Sequence, residues 1–258
     1  MLDIFGISSA QFEMFLLVFT RVSTMLFVFP IFSAPQIPIQ TRFGLGALLS
    51  FLLFRNLPQL APFSSLLGLL IAILAQIALG AIVGYIASLV FAGIQFAGEL
   101  IDLEIGYAIA NVISPTTQQQ ITIIGEFELA LATLVFLATN SHLLLIAGIA
   151  GSFTLVPLPY IHIEPSLAAS VVGILSQAFD IVFKIAAPAA IALFITNIAL
   201  ALMARVAPQM NVFVVGFPIQ VCVGLITLAA SLPLLGSVGP ELFNNLARQM
   251  DTVMRSMR

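Results

Sequence analysis

The sequence predicts an all-α, polytopic membrane-type protein built from about six apolar helical runs. Three observations carry this expectation. Hydrophobic residues make up 61% of the 258 residues and charged residues 7%, against roughly 25% charged in soluble domains. The apolar residues gather in long runs at 12–32, 43–54, 66–98, 129–163, 167–204 and 206–240, separated by stretches rich in proline, glycine or charge. Finally, no Lys or Arg occurs between Arg55 and Lys184, yet seven carboxylates lie in that window. The net charge of −3 comes with no basic block, so nucleic acid is excluded as a partner. Cys222 stands alone in an apolar run, which rules out a disulfide within the chain and predicts a buried, inert thiol. Asp3 and Glu13 stand where a secretory leader carries basic residues, so no cleaved leader is expected.

The first run carries Glu13 near its start and Arg21 near its middle. An arginine there either snorkels to an interface or faces the interior of a bundle. Pro30, Pro35 and Pro38 then break the chain. Residues 43–54 are too short for a span of about 20 residues, so they predict a partial or re-entrant helix, or one that reaches back through Arg42. Residues 66–98 have no charge. As one helix they would be about 50 Å long, against a hydrocarbon core of about 30 Å, so the run must tilt, break or leave the bilayer inside an assembly. Within it Gly80, Gly84, Ser88 and Ala92 recur every fourth residue, a seam of small side chains where another helix can approach closely.

The polar interruption at 99–120 follows. Its acidic cluster, Glu99, Asp102 and Glu104, is expected outside lipid, because an unpaired carboxylate in hydrocarbon is costly. Such acids end in water or headgroups, line an aqueous path, or meet cations on neighbouring subunits. Gly106 and Pro115 then bracket a mostly apolar stretch: Tyr107, Ala108, Ile109, Ala110, Asn111, Val112, Ile113 and Ser114. An apolar loop is unfavourable in water, and in lipid its unpaired backbone groups are worse off. Two readings remain: a protein-lined constriction that closes a pore by excluding water, or a short helix packed in the subunit's own core.

Residues 129–163 contain Asn140, Ser141 and His142, and Pro157 and Pro159 mark a loop near their end. His142 is expected to be a satisfied histidine at a helix boundary. In the next run Asp180 and Lys184 are four apart and can pair on one helix face. Pro208 disfavours helical geometry at Ala207, so that helix should end near Arg205, with Gly216 and Pro218 as further breaks before the last run settles. The result is a helical hairpin whose tip holds Arg205, Pro208, Gln209, Met210 and Asn211, a contact or entry surface rather than a lipid-facing one. The tail at 241–258 has Leu242, Leu246 and Met250 at helical spacing and is expected to lie amphipathic on a surface. Catalytic constellations are missing. His142 and His162 are twenty apart with no carboxylate at ligand spacing, and Gly44-Leu45-Gly46 lacks the third glycine of a dinucleotide loop. No enzymatic activity, metal or cofactor is expected.

The stretch Arg205-x-x-Pro208-Gln209-Met210-Asn211-Val212-Phe213-x-x-Gly216-x-Pro218 resembles the signature of the FliR family, the flagellar type III export-gate proteins. Pro188, Arg21, the Pro35 and Pro38 pair with Arg42, Gly93, Gln95 and Gly98, and Asn140-Ser141-His142 match the family pattern in the same order. The resemblance therefore covers nearly the whole chain. It implies a non-enzymatic structural subunit of the protein-conducting gate of the flagellar type III secretion system, needed for flagellum assembly. An injectisome export-gate subunit is the near variant. The alternative from another class is a small-solute secondary transporter, which predicts inverted repeats and a binding carboxylate in mid-span; no repeat joins the two halves. The resemblance also implies a hetero-oligomer with FliP and FliQ, contact with FlhB, unfolded exported proteins as substrates, and a place in the bacterial inner membrane at the flagellar basal body. It divides the chain into a FliP-like part over 1–165, with the interrupting loop at 99–120, and a FliQ-like hairpin with its charged tail over 166–258. It makes 106–115 a plug in the channel. Sidedness stays open: three tail arginines favour a cytoplasmic tail, whereas a FliQ-like hairpin points its tip at the cytoplasmic entrance.

Overall fold

The structure, a computed structural model, describes residues 8–106 and 122–258. Among the described residues the regular elements are all helices: α1 (Ser9–Val28), α2 (Pro30–Ser33), α3 (Ile39–Phe54), α4 (Leu66–Ile105), α5 (Ile123–Ala138), α6 (Ser141–Leu155), α7 (Ser166–Val206) and α8 (Val212–Arg255). By length and composition four stretches can cross a membrane, or five if α5 and α6 count as one broken span.

Each boundary has a local cause. Ser8 and Gln11 form a capping box at the start of α1, each side chain bonding the other's backbone N–H. α3 does extend back through Arg42. That guanidinium donates to the Ala34 and Ile37 carbonyls and so fixes the Pro35–Pro38 turn before the helix. Ser65 caps α4 through the Gly68 N–H. α5 ends at Ala138, and Asn140, the residue before α6, has a left-handed φ of 56°, a conformation asparagine tolerates beside a helix terminus.

α4 corrects one boundary. The acidic residues at 99–104 do not begin a loop; the helix runs on to Ile105 and stops at Gly106, which has a φ of 92°. Ala72, Gln76, Leu79, Val83, Ile86, Val90, Ile94, Ala97, Ile101 and Ile105 are all buried and follow one another at spacings of three and four. That face continues past the charges, and nothing at 99–105 breaks it. α8 corrects a second. Gly216 and Pro218 lie inside the helix, as do Pro233 and Pro240. The tail corrects a third: it is the end of α8, with Leu246, Met250, Val253, Met254 and Met257 buried rather than spread on a surface.

The chain packs as two compact units. Unit 1 takes the chain up to Leu89, Asn140–Leu175 and Asn244–Arg258. Here α3 lies against α1 through aromatic pairs, Phe15 with Phe54 and Phe27 with Phe43. The chain end is tied down by backbone: His162 N–H donates to the Met257 carbonyl and Glu164 N–H to that of Ser256. Unit 2 takes the described parts of Val90–Thr139 and Ser176–Phe243. Its core is centred on Phe91, Phe136 and Phe243, whose rings meet pairwise at 5.0–5.5 Å between centroids, a distance suited to edge and offset packing. Each unit draws on stretches that are far apart in the chain.

Candidate functional site

In unit 2 the hairpin of α7 and α8 turns at residues 207–211. Pro208 has no N–H to continue α7, and Asn211 restarts the chain as the N-cap of α8, its Oδ1 accepting from Val214 N–H at 3.3 Å. Arg205, Pro208, Gln209, Met210 and Asn211 are all exposed. Below the tip, Gln220 Nε2 donates to Asn197 Oδ1 across the hairpin. Gly216 lets α8 close on α7: a Cβ there would touch Leu200 Cδ1 at 3.1 Å. Pro218 is exposed on the outer side of α8.

Beside this hairpin lies a cavity of about 510 Å³. Leu103, Glu104 and Gly106 from the end of α4 form one wall, and Asn197, Leu200, Gly216 and Gln220 from the hairpin face them. Three groups of residues singled out in the sequence thus meet at one place: the acidic cluster, the start of the bracketed apolar stretch, and the hairpin. The walls are apolar with one carboxylate and two amides, a lining that can hold chain or side chains but carries no nucleophile and base pair. Tyr107, Ala108, Ile109, Ala110, Asn111, Val112, Ile113, Ser114 and Pro115 lie outside the described residues. Among the described residues no group of three or more His, Cys, Asp or Glu is placed to hold a metal ion.

The acidic cluster is not uniform. Glu104 is exposed and Glu99 half-buried, but Asp102 is buried. Its Oδ2 accepts from the N–H groups of Ile124 at 3.0 Å and Gly125 at 3.4 Å. Thr122, the N-cap residue of α5, makes no side-chain cap bond, so Asp102 caps α5 from the neighbouring helix. The two helices touch there backbone to backbone: a Cβ on Gly98 would lie 2.6 Å from Gly125 Cα. The expectation of a solvated cluster fails for Asp102 because its partners are helix N–H groups brought up by this glycine contact.

The seam also divides. In unit 1 a Cβ on Gly80 would meet the Arg21 carbonyl at 2.8 Å, and one on Gly84 the Met25 carbonyl at 3.0 Å, so both glycines press α4 onto α1. Ser88 is half-buried and bonds its own helix at the Tyr85 carbonyl, and Ala92 is exposed. Steps of four drift about 40° each on a helix of 3.6 residues per turn, so four positions cannot share one contact. Close approach is instead taken up by Gly93, against the Ala178 carbonyl, and by Gly98.

Arg21 settles inside unit 1. It is fully buried; Nε donates to Gln76 Oε1 at 2.7 Å, and Nη1 to the carbonyls of Ser152 and Val156 at 2.9 Å each. Those carbonyls are at the C-terminal end of α6, where the helix dipole favours a cation, and the guanidinium also lies 4.4 Å from the Phe153 ring centroid. Gln76 Nε2 in turn holds the Pro159 carbonyl. Three other expectations fail. Cys222 is exposed, because the described residues leave that face of α8 uncovered. His142 Nδ1 meets no hydrogen-bond partner. Asp180 and Lys184 form no ion pair; the pair seen among the described residues is Asp251 with Arg255.

Over residues 12–246 the chain matches the family described as Bacterial export proteins, family 1. It is 34% identical to the flagellar biosynthetic protein FliR of Pectobacterium carotovorum, over 88% of this chain and 87% of that protein. It is 32% identical to the FliR protein of Bacillus subtilis, over 90% and 91%, and 31% identical to that of Aquifex aeolicus, over 98% of each.

Proposed function

The chain belongs to the FliR family of bacterial export proteins, and from that premise we propose that it is a non-enzymatic structural subunit of the flagellar protein-export gate. It assembles with FliP and FliQ subunits in the bacterial inner membrane, contacts FlhB, and passes unfolded proteins. The observation that carries the reading is the outer face of α7. In unit 2 Phe179, Phe183, Ile191, Phe194, Ile195 and Leu202 are all exposed on it, with the exposed Asp180 and Lys184 among them. Lys184 and Leu202 are about five helical turns apart and so share one angle on the helix, which puts the charged residues inside this surface, where bare lipid is a poor solvent for them. A surface that mixes large apolar side chains with charges needs other subunits along part of it.

Purification of a tagged chain co-expressed with the FliP and FliQ of the same genome tests this. A stable hetero-oligomer in detergent is expected, with the chain aggregating when expressed alone. A monodisperse single chain that moves a small solute into vesicles would favour a secondary transporter instead.

A further inference from the structure

Unit 2 buries carboxylates that the chain does not neutralise. Glu128, on α5, is fully buried, and among the described residues neither of its carboxylate oxygens meets a hydrogen-bond donor. Asp102, on α4, is 4% exposed; its Oδ2 accepts from Ile124 and Gly125, and its Oδ1 meets no donor among the described residues. Ile124 sits one helical turn before Glu128, so the carboxylate that caps α5 and the one on its second turn lie at the same end of that helix. Three unpartnered carboxylate oxygens therefore share one buried region between α4 and α5.

The elements around them bring no counter-charge. α4 adds Glu99 beside Asp102, and α5 adds Glu126. α8 is uncharged from Val212 to Pro240, and Glu241 beyond it is exposed. α7 offers Asp180, Lys184 and Arg205, all exposed. Among the described residues no Lys or Arg pairs with either acid. Bare carboxylates in an interior of low dielectric need an opposite charge, and a buried water satisfies lone pairs without supplying one.

We propose that Asp102 and Glu128 form a buried monovalent-cation site, which holds one proton or one alkali metal ion. The chemistry common to both is a single positive charge on carboxylate oxygens. Asp102 already accepts from two helix N–H groups, which favour its charged form, so one positive charge serves the pair. The site goes beyond the export reading and stands on the packing of α4 and α5 alone.

The test uses the assembled complex in detergent, as wild type, Glu128→Gln and Asp102→Asn. The first probe is infrared spectroscopy at neutral pH, for the C=O stretch of a carboxylic acid. The second is thermal stability in NaCl or KCl against choline chloride at equal ionic strength. A proton predicts an acid band that Glu128→Gln removes, with no dependence on the salt cation. An alkali ion predicts a rise in melting temperature with Na⁺ or K⁺, lost in Glu128→Gln, and no acid band. If Glu128→Gln does not assemble, Asp102→Asn must shift the band or abolish the cation dependence. A wild-type complex with neither signal, or with signals that both variants leave unchanged, overturns the site.

Discussion

Replacing Gly98 with alanine adds one methyl group at the tightest helix contact in unit 2. Its Cβ would lie 2.6 Å from Gly125 Cα, 2.7 Å from Gly125 N and 2.9 Å from the Ile124 carbonyl carbon. Carbon atoms pack at about 3.5–4.0 Å, so α4 and α5 must part by about 1 Å. None of the three atoms belongs to a side chain, so no rotamer change relieves the clash. The separation also breaks the bonds that the Ile124 and Gly125 N–H groups donate to Asp102 Oδ2, the longer of which is already 3.4 Å. Overpacking costs about 1–3 kcal/mol and the lost cap about 1 kcal/mol. The better helix propensity of alanine offsets up to about 1 kcal/mol. The net expectation is a loss of about 1–3 kcal/mol, read by chemical denaturation of the purified complex and by abundance in membranes. Gly151→Ala and Gly173→Ala are the controls: nothing lies within 4 Å of a Cβ at either, so they should be neutral or slightly stabilising. Gly98→Ala behaving like these controls would refute the backbone contact and, with it, the capping of α5 by Asp102.

Three further outcomes are expected. Gly80→Ala, and more strongly Gly84→Leu, should lower abundance in the membrane, because a Cβ at each meets α1 backbone within 3.0 Å; wild-type levels in both would show that α1 and α4 do not pack this way. Arg21→Lys keeps the charge but not the fork that reaches Gln76, Ser152 and Val156, and should destabilise the complex by about 2 kcal/mol, whereas an unchanged denaturation midpoint would show the fork to be dispensable. Arg205→Ala removes an exposed side chain, so stability should stay within about 0.5 kcal/mol while export of flagellar proteins falls; normal export would remove the hairpin tip from the working surface.

The helical class and the hairpin were legible because they rest on local signals. Pro208 and Asn211 mark the two sides of the turn by chemistry that acts within a few residues. Charge misled at the end of α4, where Glu99, Asp102 and Glu104 suggested an exit into water; the stripe Ile94, Ala97, Ile101 and Ile105 was present in the same residues and decided the matter. Proline misled in α8. Away from water a backbone carbonyl has few partners outside a helix, so the helix continues through Pro218, Pro233 and Pro240. The tail's apolar spacing showed that one face of 241–258 would be covered, but not that unit 1 covers it. Arg21 was beyond sequence reasoning for another reason. Its partners lie 55, 131 and 135 residues away, and only the packed chain brings them together.

The most direct measurement is protein export in the bacterium that carries this chain. Its gene is deleted, and flagellar proteins are quantified in the cells and in the culture medium, with and without the chain restored from a plasmid. A gate subunit predicts flagellar proteins made in the cells, absent from the medium, and returned to the medium by the restored chain. Normal secretion and normal filaments in the deletion strain would contradict that role.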